Sequence, residues 1–173
     1  MSYRNRRNRR GLAATLLLPA ALLLSACAGG PRFIADNGIN TDLIATEAAR
    51  QDALGERVVW GGRIIETRVL EDDSMVEVLA YPLDRSERPR TERSTQGRFL
   101  VRHAGFLEPQ DYRSGRLITV RGEIAEIIDG RVGEADYRFP LVEEEGIHLW
   151  PVQPPGVRPE PRVRFGVGVH IMR

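Results

Sequence analysis

The sequence predicts a mainly β domain, and three observations carry that reading. From Arg57 onward apolar and polar residues alternate with period two through most of the chain, the pattern of half-buried strands. The first such stretch holds Gly61-Gly62 in its interior, and glycines inside a strand mark a bulge or sharp bend that lets a small sheet curl on itself. Five stretches follow one another before residue 151, with a short connector between the third and fourth. That order matches a single small five-stranded OB-like barrel.

A short helix is expected ahead of the barrel. Thr41-Asp42 can cap it, Ala48, Ala49 and Leu54 give it an apolar face, and Gly55 is a natural stop. Arg57 to Leu70 is the first strand, Glu71 to Ser74 a polar turn, and Met75 to Tyr81 the second, so that the two form a hairpin. Pro82-Leu83-Asp84 closes it, and Arg85 to Gln96, charged and poor in apolar residues, reads as an exposed loop. Gly97 to His103 is the third strand. Gly105 to Gly115 is the connector, a turn or one short helical piece, and Arg116 to Ile128 is the fourth strand. Asp129-Gly130 reads as a turn, and Tyr137 to Trp150 as a fifth strand broken near Pro140 and Gly146. Residues 153–173 are rich in Pro and Arg and predict an extended tail.

The first 26 residues have a different character. Five arginines lie within Met1 to Arg10, an apolar run follows from Leu12 to Leu24, and Leu24-Ser25-Ala26 precedes Cys27, the single cysteine. A basic start, a short apolar middle and small residues at a cleavage point form an export signal. The run is shorter than the roughly 20 residues a spanning helix needs. Leu24, Ser25, Ala26 and Cys27 resemble the lipobox of bacterial prolipoproteins. That resemblance implies that processing and sorting machinery reads these residues, cuts before Cys27, and leaves a diacylglycerol and an N-acyl chain such as palmitate on the cysteine. Ala28 follows it, and not the aspartate associated with inner-membrane retention, so the expected address is the outer membrane, lipid-anchored and facing the periplasm. The pairs Arg6-Arg7 and Arg9-Arg10 leave twin-arginine export open beside the general route. The organisation expected is a signal peptide over 1–26, a lipidated cysteine and flexible tether over 27–40, the β domain over 41–152 and the tail over 153–173.

Composition excludes several classes of function. All 25 basic residues are arginine, and with the signal's five removed the remaining chain carries 20 arginines against 24 acids. A mildly acidic exported domain has no electrostatic footprint for nucleic acid. With Cys27 used for lipid, no disulfide, thiolate metal site or cysteine nucleophile is left. No cofactor is expected beyond the covalent lipid.

Four ordered blocks then stand out. They are Val59-Trp60-Gly61-Gly62; Leu79-Ala80-Tyr81-Pro82-Leu83-Asp84; Gly97-Arg98-Phe99-Leu100 with Gly105-Phe106-Leu107-Glu108-Pro109; and Tyr137-Arg138-Phe139-Pro140 with His148-Leu149-Trp150-Pro151. Their order and spacing over residues 40–152, behind a lipobox, resemble the Slp family of starvation-inducible outer-membrane lipoproteins. Glu108 stands where aspartate is expected in many members. The resemblance implies a role in envelope integrity under stress or in stationary phase, brings no catalytic residues, and transfers nothing to the tail.

Among side chains that could carry chemistry, Trp60, Tyr81, Tyr112 and Trp150 are candidates for a binding face that takes a peptide, glycan or protein partner of the envelope. The competing reading packs them into a small barrel's core. His103, His148 and His170 are too scattered for a metal motif. Ser114, His103 and Asp111 hold the ingredients of a hydrolytic triad without the turn that would expose the serine. Glu143-Glu144-Glu145 point to different sides of a strand and make no cation cage. Arg85, Arg88, Arg90 and Arg93 could meet anionic headgroups, with Glu87 and Glu92 opposing them.

Overall fold

A computed structural model of the protein describes residues 32–34 and 38–152. Leu24, Ser25, Ala26, Cys27 and the tail from residue 153 lie outside the described residues. The elements are α1 (Ala45–Gln51), β1 (Arg57–Val69), β2 (Asp73–Tyr81), β3 (Arg98–Ala104), β4 (Leu117–Val132) and β5 (Ala135–Leu149). The five strands close into a barrel in the order β1-β2-β3-β5-β4, with β3 and β5 parallel and every other pair antiparallel. This is the OB-type order expected from the strand count.

Alternation along the strands fills the interior. Val76, Val78 and Ala80 of β2 point inward beside Phe99 and Val101 of β3, and meet Val58, Trp60 and Ile64 of β1 and Ile118, Val120 and Ile124 of β4. Phe99, Ile64, Ile118 and Ile124 are fully buried, each contributing about 1.5–3 kcal/mol of apolar burial. Ala45 and Ala48 bring α1 onto the same core, and Arg138 of β5 holds the helix end by donating to the Ala49 carbonyl at 2.7 Å and pairing with Asp52.

The glycine pair acts through close approach rather than as the bulge itself. Gly61 and Gly62 lie where β1 is paired on both edges, to Tyr81 and Ala80 of β2 and to Thr119 and Ile118 of β4. A Cβ on Gly62 would sit 2.0 Å from the Leu79 carbonyl oxygen. The extra residue is Ile65, where the β1–β2 register shifts between Ile64 and Glu66.

Three expectations are corrected. Helix α1 begins at Ala45, not at a Thr41-Asp42 cap: Ile44 is extended, no side chain caps the helix, and the Asn40 side chain instead accepts the Leu43 N–H at 3.1 Å. It also stops early, at Asp52 in the left-handed region, three residues before Gly55. Asp129-Gly130 is not a turn, because β4 and β5 stay paired past it, Asp129 opposite Arg138, until Gly133 turns the chain at φ 60°. Nor is β5 broken: Pro140 pairs with Ile127 inside the ladder, and the register shift that places Gly146 against Arg121 and Glu144 against Gly122 leaves Glu145 as a bulge.

Candidate functional site

The loop between β2 and β3 was expected to be exposed, yet it folds back on the barrel. Arg90 donates its N–H to the Pro82 carbonyl at 2.8 Å, and Gln96 donates to Ala80 at 2.9 Å. Asp84 organises the tip, its Oδ1 accepting the N–H groups of Ser86 and Arg88 and the Ser86 hydroxyl. Its carboxyl is lowered from the usual range: burial opposes the shift, and the hydrogen bonds from Ser86 and Arg88 outweigh it. This construction turns Glu87 inward at φ 64°, with only 6% of its surface exposed.

A buried carboxylate needs donors, and Glu87 finds them on the segment that leads from Cys27. Its two oxygens accept the backbone N–H groups of Phe33 and Ile34, each at 2.9 Å. The half-buried Phe33 ring lies against Gly146, where an added Cβ would meet it at 3.0 Å, and the Arg121 guanidinium stands 5.6 Å from the ring centroid. The stretch read as a flexible tether is therefore fixed to the barrel at its sixth residue after Cys27. Glu87 is the residue that sequence reasoning missed, since nothing local to it announces a partner more than fifty positions away.

From Glu87 the contacts run on to Trp150. The Thr119 hydroxyl donates to the Glu87 carbonyl at 2.6 Å and accepts the Trp150 indole N–H at 2.9 Å. His148 meets the Trp150 ring edge-on at 4.5 Å, and the Arg88 guanidinium lies 5.1 Å from its centroid. Above this ring opens a depression of about 380 Å³, bordered by Arg63, Arg88, Arg113 and Arg116.

The four aromatic candidates do not share one face. Trp60 is a core residue, 6% exposed, donating its indole N–H to the Leu43 carbonyl at 2.7 Å and meeting Phe99 edge-on. Tyr81 is buried beside it, and both border a second depression with Pro82 and Gln96. Trp150 is 8% exposed and lies under the basic depression. Tyr112 packs on the core from the β3–β4 connector, and burial, with the Glu144 and Asp111 charges, raises its phenol pKa.

The other candidates separate in the same way. His103 is bonded to Glu144 at 2.6 Å, whereas Ser114 lies at the basic depression. Glu143 pairs with Arg102, and Glu145 with Arg57 and Arg121, so the three consecutive acids share no partner. Arg57 lowers the Glu145 pKa chiefly by its hydrogen bond, against a smaller opposing effect of burial. Among the described residues no three metal-ligating side chains converge, and no helix is long and apolar enough to cross a membrane.

Comparison with known proteins gives a family. The model of the outer membrane lipoprotein Slp family matches residues 24–166, reaching past residue 152 into the tail to which the resemblance was expected to transfer nothing. The chain is similar to the outer membrane protein Slp of Escherichia coli strain K12, 31% identical over 138 residues, covering 78% of this chain and 73% of that one. It is equally similar to the uncharacterized lipoprotein YeaY of the same organism, 31% over 132 residues, 75% of this chain and 68% of the relative. An uncharacterized protein of Haemophilus influenzae is 37% identical over 91 residues, about half of each chain.

Proposed function

Because the chain belongs to the outer membrane lipoprotein Slp family, we propose that Cys27 carries the lipid and that the barrel stands on the periplasmic leaflet of the outer membrane, where it supports envelope integrity under stress without catalysis. The observation that carries this reading is the docking of Phe33 and Ile34 on Glu87. Six peptide steps from Cys27 to Phe33 span at most about 20 Å. A domain fixed that close to its anchor works at the membrane surface, not at a distance from it. Each buried methylene contributes about 0.8 kcal/mol and two or more chains hold stably, so the tether need only orient what the lipid retains. The lipoprotein processing and sorting machinery would act on Leu24, Ser25, Ala26 and Cys27.

A peptide, glycan or protein partner on an aromatic face has less support, since Trp60 and Trp150 spend their indole N–H groups and most of their surface inside the barrel. The test is metabolic labelling with an alkyne fatty acid, followed by membrane fractionation, comparing the native chain with Cys27→Ser. Label and outer-membrane sedimentation should vanish together in the variant. An unlabelled native chain would refute the anchor, and a deletion strain as resistant to detergent in stationary phase as its parent would refute the envelope role.

A further inference from the structure

We propose that the depression over Trp150 is a binding site for a phosphate group. Its border comes from four parts of the chain: Arg63 of β1, Arg88 of the β2–β3 loop, Arg113 and Arg116 of the β3–β4 connector, and the residues that leave β5 at Trp150. No carboxylate borders it among the described residues. On the strands other arginines are neutralised, Arg57, Arg98, Arg102 and Arg138 each lying within salt-bridge distance of an acid. None of the four guanidiniums here has such a partner among the described residues.

The acceptors that Arg113 and Arg116 contact are neutral carbonyls, which fix their positions and leave their charge uncompensated. Arg116 donates to the Asp111 carbonyl at 2.9 Å and to the Trp150 carbonyl at 3.0 Å, while its buried Nε–H has no acceptor among the described residues. Arg113 donates to the Gln110 carbonyl at 3.2 Å, and Arg88 lies over the Trp150 ring. Glu87, the acid nearest in sequence, has turned its carboxylate to Phe33 and Ile34 instead. Asp84 feels the Arg88 charge without forming a salt bridge to it. Four arginines on one border suit an anion with several oxygens and more than one charge, because a planar guanidinium fork can take two oxygens. A depression of about 380 Å³ admits a group the size of a lipid headgroup.

Phosphate of this kind has two sources, a membrane lipid headgroup or a free phosphate compound. The site itself rests on the side chains; only the choice of source rests on the membrane placement proposed above. The full mature chain carrying Cys27→Ser separates them, since without its lipid any binding to vesicles reports the barrel. It is titrated calorimetrically with inorganic phosphate and sedimented with phosphatidylcholine vesicles with and without phosphatidylglycerol. Arg63→Gln/Arg113→Gln removes two exposed guanidiniums of the depression, and Arg85→Gln/Arg93→Gln removes the same charge from the exposed tip of the β2–β3 loop.

Saturable binding that falls about tenfold or more in the first variant, and changes by less than about twofold in the second, is the expected result. Binding to inorganic phosphate assigns a free ligand, and binding to the anionic vesicles alone assigns a headgroup. No saturable binding in either arm, or equal losses in the two variants, overturns the site. Fatty-acid labelling of Cys27 reports separately, so an unlabelled native chain would leave a positive phosphate result standing.

Discussion

Glu87→Ala tests whether the barrel holds its own tether. Two hydrogen bonds to an ionised carboxylate stabilise the docked segment by about 1.5–3 kcal/mol each. Ordering the backbone of Phe33 and Ile34 costs about 1–2 kcal/mol per residue. The difference, about 1–2 kcal/mol, corresponds to roughly 5–30 docked molecules for each free one. Alanine removes both bonds, so the segment comes free unless the Phe33 ring alone can hold it. The loss of overall stability is then capped near the same 1–2 kcal/mol, because a released segment regains its freedom. Hydrogen exchange on the mature Cys27→Ser chain reads this directly. The Phe33 and Ile34 amides should lose protection, while those of Ser86 and Arg88, bound to Asp84, keep theirs. Glu87→Gly sharpens the test: a residue at φ 64° costs about 1–2 kcal/mol of left-handed strain that glycine does not suffer. Glycine should therefore recover stability relative to alanine without recovering amide protection. If Phe33 and Ile34 exchange in Glu87→Ala as slowly as in the native chain, the clamp does not exist and the membrane-proximal placement built on it falls.

Three further perturbations address the barrel. Gly62→Val forces a Cβ to within 2.0 Å of the Leu79 carbonyl and should cost at least about 3 kcal/mol in denaturant melts. Gly133→Ala, with open space around it but φ 60°, should cost about 1–2 kcal/mol; equal losses would show that close approach is not what glycine serves in β1. Thr119→Val leaves the Trp150 indole N–H and the Glu87 carbonyl without their shared hydroxyl, a loss of about 1–3 kcal/mol with a changed near-ultraviolet signal, and an unchanged melt and spectrum would contradict it. The Arg57–Glu145 pair makes an acid-limb prediction. Its folded pKa lies below the ordinary 4.5, so the stabilisation is complete above that value and is lost as pH falls through the folded pKa. Melting temperature should fall less steeply over that interval in Glu145→Gln, and identical slopes would remove the pair from the account.

What the sequence disclosed is what local pattern encodes. Period-two alternation located five strands because each is half-buried on one face, and Gly61-Gly62 marked the place where two neighbouring strands press on β1. The Asp129-Gly130 pair misled because a turn-forming dipeptide says nothing about its cross-strand partners. Asp129 lies opposite Arg138, and Phe139 covers Gly130 so closely that a Cβ there would meet the ring at 3.0 Å. Long-range partnerships were illegible for the same reason. Arg85, Arg88, Arg90 and Arg93 formed a group by adjacency, yet Arg90 pairs with Glu92, and of the four Arg88 is the one that reaches the depression. Its companions Arg63, Arg113 and Arg116 are delivered by closure of the barrel. Glu87 looked like a charge opposing that cluster and proves to be spent on the tether.

The clamp and the basic depression are built from shared atoms. Phe33 and Ile34 donate to the Glu87 carboxylate, Thr119 bridges the Glu87 carbonyl and the Trp150 indole, and Arg88 stands over that indole. A domain on a wholly flexible tether would turn freely above the membrane, and a headgroup-sized site on it would face the bilayer only part of the time. With the proposed anchor at Cys27, docking Phe33 and Ile34 on Glu87 limits that freedom by bringing the barrel within six residues of it. Two unusual features of the loop, an acid in the left-handed region and a carboxylate buried among backbone amides, thereby acquire one physical reason. Both cost stability, and the hydrogen bonds from Phe33 and Ile34 offset that cost when the segment is seated.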